Sequence, residues 1–159
     1  MKKALVPAAT ACLMLLIVSF VAPQQQGALK ASMDRGQKVY LGTCLACHQA
    51  DAGGVQNMNP PLIKTKWVLG DKKALAKIVL GGLKGGEIDI DGDKFSNPMP
   101  PQEGSLTDQQ IADVLTYVRN SFGNKASAVP VADVASARAK LHAPAAATPA
   151  KKPVPKKKA

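Results

Sequence analysis

Five consecutive residues, Cys44-Leu45-Ala46-Cys47-His48, restrict this chain more than any other part of its sequence. Two thiols three positions apart are neighbours on one helical turn, and the imidazole that follows at once stands beside them. Such a triplet suits three chemistries: a dithiol switch, half of a zinc site, or covalent attachment of a haem, with a thioether on each vinyl group and the histidine as an axial donor. A dithiol switch wants a strand before the first cysteine and a helix that starts there. Here Met33 to Thr43 has a helical pattern, and a Gly/Pro-rich stretch follows the motif. Zinc needs four donors, yet the other histidine, His142, lies near the C-terminus and the other cysteine, Cys12, in an apolar leader. The haem reading is the one the surroundings sustain.

A shortage of core points the same way. Without its apolar start and its Ala/Pro/Lys end, the chain keeps roughly 95 residues, and a domain of that size buries only about 60–65 % of its extended surface. Aromatic residues make up 4 % of the sequence. A bound cofactor is then expected to form much of the interior.

The formal net charge of +10 suggests a nucleic-acid partner until its distribution is considered. Between residues 31 and 125, eleven Lys/Arg face ten Asp/Glu, so the body is close to neutral. The excess sits at the ends, with Lys151, Lys152, Lys156, Lys157 and Lys158 in the last nine residues. Residues 143–159 are almost wholly Ala, Pro and Lys and cannot form a core, which predicts a disordered basic tail. Its lysines suit an anionic membrane or cell-envelope surface, and no nucleic-acid partner is expected.

Lys2 and Lys3 precede an uncharged run from Ala4 to Ala22. Residues 1–22 therefore read as a signal peptide or, because nineteen residues at 1.5 Å each span about 28 Å, as an uncleaved N-terminal anchor. Either places the body in the periplasm or another extracytoplasmic space. Residues 23–30 read as a polar spacer.

Within the body, Asp34 or Ser32 suits the cap of a helix from Met33 to about Thr43. Gly36 inside that helix costs about 0.8–1 kcal/mol relative to Ala, a cost that a close crossing would explain. Gln49 to Lys66 is loop, broken by Gly53, Gly54, Pro60 and Pro61. Asp71 caps a second helix, Lys72 to Leu80, ended by Gly81 and Gly82. Residues Glu87 to Ser96 form a hairpin around Asp91-Gly92, a pair that accepts the positive φ of a type I′ turn. Asp89, Asp91 and Asp93 do not make a calcium loop, because Gly92 falls at the fourth position and Pro100 at the twelfth. The strongest helix runs from Thr107 to Phe122: Thr107 and Gln110 form a capping box, Leu106 staples to Ile111, and Ile111, Val114, Leu115 and Val118 make the buried stripe. Residues 125–142 form an extension with a marginal helical pattern.

A second haem ligand is expected from Pro98-Met99-Pro100-Pro101, where a thioether on a rigid loop can complete the iron's coordination and raise its potential. Met58 is the rival. It lies ten residues from His48, a tight excursion around a haem edge, which favours Met99.

Residues 31–124 resemble a class I cytochrome c, especially the small cytochrome domains of periplasmic dehydrogenases and respiratory oxidases. The likeness rests on Gly36-Gln37-Lys38-Val39-Tyr40, Cys44 to His48, Asn59-Pro60-Pro61-Leu62, Phe95-Ser96-Asn97-Pro98-Met99-Pro100, and Ile111 to Phe122. It implies an all-α cytochrome c fold, its N- and C-terminal helices crossing around a covalently bound haem c, with a short β-hairpin before the methionine loop. It implies thioethers at Cys44 and Cys47, and His48 and Met99 as axial ligands. It further implies a proline carbonyl, Pro61 or Pro60, that accepts the proton of His48, and Trp67 near a haem propionate. Tyr117 would face the N-terminal helix, and Gly36 would mark the crossing. The implied activity is one-electron carriage, without enzymatic chemistry, between a dehydrogenase or cytochrome complex and an oxidase or other acceptor. Alternatives are a haem subunit tethered in a larger oxidoreductase, or a haem peroxidase or gas sensor that loses Met99.

Overall fold

The computed structural model describes residues 25–143. The leader, Cys12 and residues 144–159 of the basic tail lie outside them. No helix among the described residues is long and apolar enough to cross a membrane.

The first helix, α1, is α-helical over residues 25–39, widens to a π-helical turn at Tyr40–Cys44 and finishes as Leu45–His48. It includes residues 25–30, which the sequence suggested were spacer. Gln25, Gln26, Ala28, Leu29 and Lys30 are good helix formers, and Lys30 pairs with Asp34 at 2.7 Å one turn on. Neither Ser32 nor Asp34 caps the helix, since both lie inside it. Ser32 instead donates to Asp113 at 2.6 Å.

Thr65 caps the short helix α2, Lys66–Leu69, and Asp71 caps α3, Lys72–Gly81, each by accepting from a first-turn amide. Strands β1, Ile88–Ile90, and β2, Asp93–Phe95, pair antiparallel with Ile88 opposite Phe95. The turn between them has φ of 58° at Asp91 and 99° at Gly92, as a type I′ turn requires. Helix α4, Asp108–Asn120, carries the expected capping box of Thr107 and Gln110.

Helix α4 is the shared wall of two clusters. On one side Ile111, Ala112 and Leu115 pack with Leu75, Ala76 and Leu80 of α3; on the other Val114 and Val118 pack with Tyr40 and Val68. Helices α1 and α4 touch backbone to backbone at Gly36, where a Cβ would lie 2.1 Å from the Asp113 carbonyl oxygen. Arg35 fixes the crossing: its Nε and Nη2 donate to the two oxygens of Asp113 at 2.7 and 2.8 Å.

The extension read as marginal is a full helix, α5, Val131–His142. Val134 and Ala137 are buried in the α3–α4 cluster, and Arg138 donates to Asp108 and to the carbonyls of Glu103 and Leu106. Small side chains let it lie close to α3, so tertiary packing supplies what amphipathic patterning lacks.

Candidate functional site

The two clusters and the loops between them border one apolar cavity that opens to solvent, the kind of concave, mainly hydrophobic space in which cofactors are held. Its walls are mainly aliphatic. Leu75, Ile78 and Val79 come from α3, and Val114, Leu115 and Val118 from α4.

Cys44, Cys47 and His48 all border this space. The π-turn that ends at Cys44 adds one residue to the helix, buries Tyr40, and leaves the last turn to present both thiols and the imidazole to the cavity. Tyr40 locks that end by donating from Oη to the Gln49 carbonyl at 2.6 Å. Burial, then the neighbouring Cys47, pushes the Cys44 thiol up to about 11. A dithiol switch needs the opposite shift.

His48 Nδ1 lies 2.9 Å from the carbonyl oxygen of Pro60. A carbonyl only accepts, so Nδ1 carries the proton and Nε2 keeps its lone pair. Burial lowers the His48 pKa and the Pro60 bond partly opposes it, leaving a neutral imidazole oriented as a metal donor. The acceptor is thus Pro60 and not Pro61, although both prolines border the cavity. The loop that aims Pro60 turns at Gly54, whose φ is 69° and whose added Cβ would meet the Asn59 oxygen at 2.3 Å. Val55 and Asn59 bridge across that turn, and Leu62 N donates to Ala52 at 2.8 Å.

Met99 borders the same cavity, and Trp67 does too. The Met99 backbone is pinned by a two-way bridge to Leu83, each bond 2.9 Å. The approach requires Gly82, where a Cβ would come 2.4 Å from the Met99 oxygen. Met58 is 47 % exposed and is not among the residues that border the cavity. The loops bearing Pro60 and Met99 are tied together: Asn97 N donates to Met58 O at 3.0 Å and Asn97 Nδ2 to Asn59 Oδ1 at 3.1 Å.

Two buried polar residues escaped the sequence reading. Asn124 accepts from Lys64 N and donates to the carbonyls of Leu62 and Val118, which holds the segment after Pro61 against the end of α4. Arg119 bonds three carbonyls, those of Val68 and Gly70 at the end of α2 and that of Ser127 in the segment after α4. The available signal was a polar residue next to the apolar stripe of α4 and another just past its glycine stop.

Residues 33–122 match the family model described as cytochrome c. The chain belongs to the cytochrome c family. This cytochrome is 36 % identical over 105 residues to the cytochrome c subunit of a quinone alcohol dehydrogenase from Gluconacetobacter polyoxogenes, covering 65 % of this chain and 22 % of that one. It is 37 % identical over 109 residues to the gluconate 2-dehydrogenase cytochrome c subunit of Pantoea cypripedii, 65 % and 24 % of the two chains. With cytochrome c-552 of Thermus thermophilus it shares 30 % over 102 residues, 62 % and 67 % of the two. The chain thus spans about a quarter of the length of the dehydrogenase subunits it matches.

Membership brings a covalently bound c-type haem and electron transfer as its chemistry. The donor set fits that group: two free thiols, an imidazole with Nε2 unprotonated, and a thioether, all on one apolar cavity.

Proposed function

We propose that this cytochrome carries single electrons outside the cytoplasm, from a dehydrogenase or other reductase to an oxidase or other acceptor. One haem c would be held by thioethers to Cys44 and Cys47, with His48 and Met99 as the donors to its iron. The observation that carries this reading is the meeting of His48, Met99 and both cysteines on one aliphatic cavity.

When bound, the haem supplies one reversible electron. The chain's own residues do the rest. Pro60 fixes the His48 ring and its tautomer. Leu83 and Gly82 fix the Met99 backbone. The aliphatic walls would exclude water from the bound group and limit the rearrangement that accompanies each change of charge. His48 and Met99 would both serve as donors to the iron, which would leave no position for a substrate and argues for a carrier without enzymatic chemistry. Trp67 borders the cavity from α2 and would be the residue near a haem propionate.

A second reading has support of its own. The relatives at 36 and 37 % identity are named as cytochrome c subunits of dehydrogenases, so this chain would work within a larger oxidoreductase. Co-purification with a dehydrogenase or oxidase distinguishes a bound subunit from a diffusing carrier.

The test of the haem assignment is a pyridine haemochrome spectrum with the intact mass of the exported protein, made in a host that matures c-type cytochromes. Expected are a Soret band and the added mass of one haem. A mass equal to the bare polypeptide, without Soret absorption, ends the proposal. The same mass reports whether residues 1–22 are removed as a signal peptide or kept as an anchor. The lysines near the C-terminus are proposed to hold the protein to anionic surfaces, and deletion of residues 151–159 should then release it at low salt.

A further inference from the structure

Arg119 is a buried charge that electron carriage as described leaves unused. It is 3 % exposed, near the end of α4. Its Nη1 donates to the carbonyl oxygens of Val68 and Gly70, and its Nε to that of Ser127 at 3.0 Å. Among the described residues no carboxylate lies within ion-pair distance of it. The carboxylate that acts on it from farther off is Asp71, which is exposed and occupied in capping α3.

A guanidinium keeps its proton throughout the range in which proteins fold. The three carbonyls solvate this one, but a dipole carries no net charge, so a full positive charge remains. Burying a cation without a counter-ion is costly, and pinning the end of α2 to the segment after α4 could be done by a neutral donor. The place of the charge gives it a use. Val68 and Val118 border the cavity; Arg119 follows Val118 in α4 and holds the carbonyl of Val68. The guanidinium therefore stands one residue layer behind the cavity wall, in a medium that screens poorly.

We propose that Arg119 tunes the potential of this cytochrome: its unneutralised charge favours the form that has accepted the electron, and so raises the midpoint. The inference rests on the haem assignment above. A unit charge at that depth is expected to shift the reduced-to-oxidised ratio roughly three- to tenfold, and a tenfold shift is about 59 mV for one electron.

The experiment is a redox titration of matured, haem-loaded protein as wild type, Arg119→Gln, Arg119→Lys and Asp71→Asn, with haem content measured for each. Arg119→Gln should lower the reduced-to-oxidised ratio three- to tenfold at fixed potential. Arg119→Lys should stay near wild type, because the charge survives although the planar fork is lost. Asp71→Asn keeps the cap, since Asn and Asp cap equally well, and should move the ratio upward by a smaller factor. If Arg119 acts only as a pin, Lys and Gln displace the midpoint alike and Asp71→Asn leaves it alone; that result overturns the proposal. Should the Gln variant fail to mature, the other two decide: an unmoved Lys midpoint with a raised Asn midpoint upholds it, and any other pairing rejects it. Absence of haem from the wild type sinks the carrier reading itself. Haem present with a midpoint indifferent to these charges sinks this inference alone.

Discussion

Met58 and Met99 lie on two loops joined by hydrogen bonds at Asn57–Asn59 and Ser96–Asn97, yet only Met99 turns toward the cavity. The reason is backbone, not side-chain preference: the bridge to Leu83 past Gly82 fixes the segment on which Met99 sits. Met99→Ala should therefore abolish the far-red methionine-to-iron band of the oxidised protein. It should also lower the reduced-to-oxidised ratio by well over tenfold, since axial ligands set haem potentials across about 0.8 V. Met58→Ala should leave both unchanged, and absorption spectroscopy with a redox titration checks the pair. Motif and spacing marked Cys44, Cys47, His48 and Met99 as candidates because their chemistry is local, and the fold brings the four to one cavity. The proline that orients His48 was not: Pro60 and Pro61 each offer a carbonyl, and the choice depends on how the chain turns at Gly54, which no spacing rule encodes.

At the scale of elements, the α1–α4 crossing combines a contact that only glycine permits with a buried carboxylate. Burial raises the Asp113 pKa, but hydrogen bonds from Arg35, Ser32 and Gln109 outweigh it and hold the carboxyl below its ordinary value of 3.8. A carboxylate with a depressed folded-state pKa stabilises the fold above the unfolded value and loses that contribution as pH falls through the folded one. The crossing should thus weaken below about pH 3.8, only modestly because half of the Arg35 side chain is exposed and its charge is screened. In Asp113→Asn the acid limb of a stability-versus-pH curve should flatten, as read by urea midpoints between pH 2 and pH 6; an unchanged limb would count against this role. Gly36 announced the crossing in the sequence because a mid-helix glycine demands a reason. Helix α5 announced nothing comparable: Val134, Ala137 and Leu141 form a thin apolar edge, and the helix is held by Arg138 and by packing against α3, neither of which is local information. The capping box of α4, the cap at Asp71 and the Asp91-Gly92 turn were readable for the opposite reason, since each is closed within a few residues.

For the whole molecule, the distribution of the core predicts what haem removal does. The α3–α4–α5 cluster contains Leu80, Ile111 and Val134 at 0 % exposure and is closed largely by helix-on-helix contact. Both clusters meet the cavity, the first through Leu75 and Leu115 and the second through Val68, Val114 and Val118, whereas the loops carrying Pro60 and Met99 border it with few apolar contacts of their own. A ligand that binds only the folded state stabilises the parts it touches, and stability within a domain is distributed by region. The double variant Cys44→Ala, Cys47→Ala, which cannot form thioethers, should therefore lose protection unevenly when isolated without haem. Amide exchange should be fast over residues 49–65 and 83–106 and slower over Leu75 to Leu80, Ile111 to Val118 and Val134 to Leu141. Mass-resolved hydrogen exchange on the exported variant and the holoprotein measures this directly. Uniform loss of protection would mean that haem organises all the helices at once and that α5 is no independent brace. Retained protection in the two loops would mean that the chain folds the cavity unaided, leaving the haem an electronic role without a structural one.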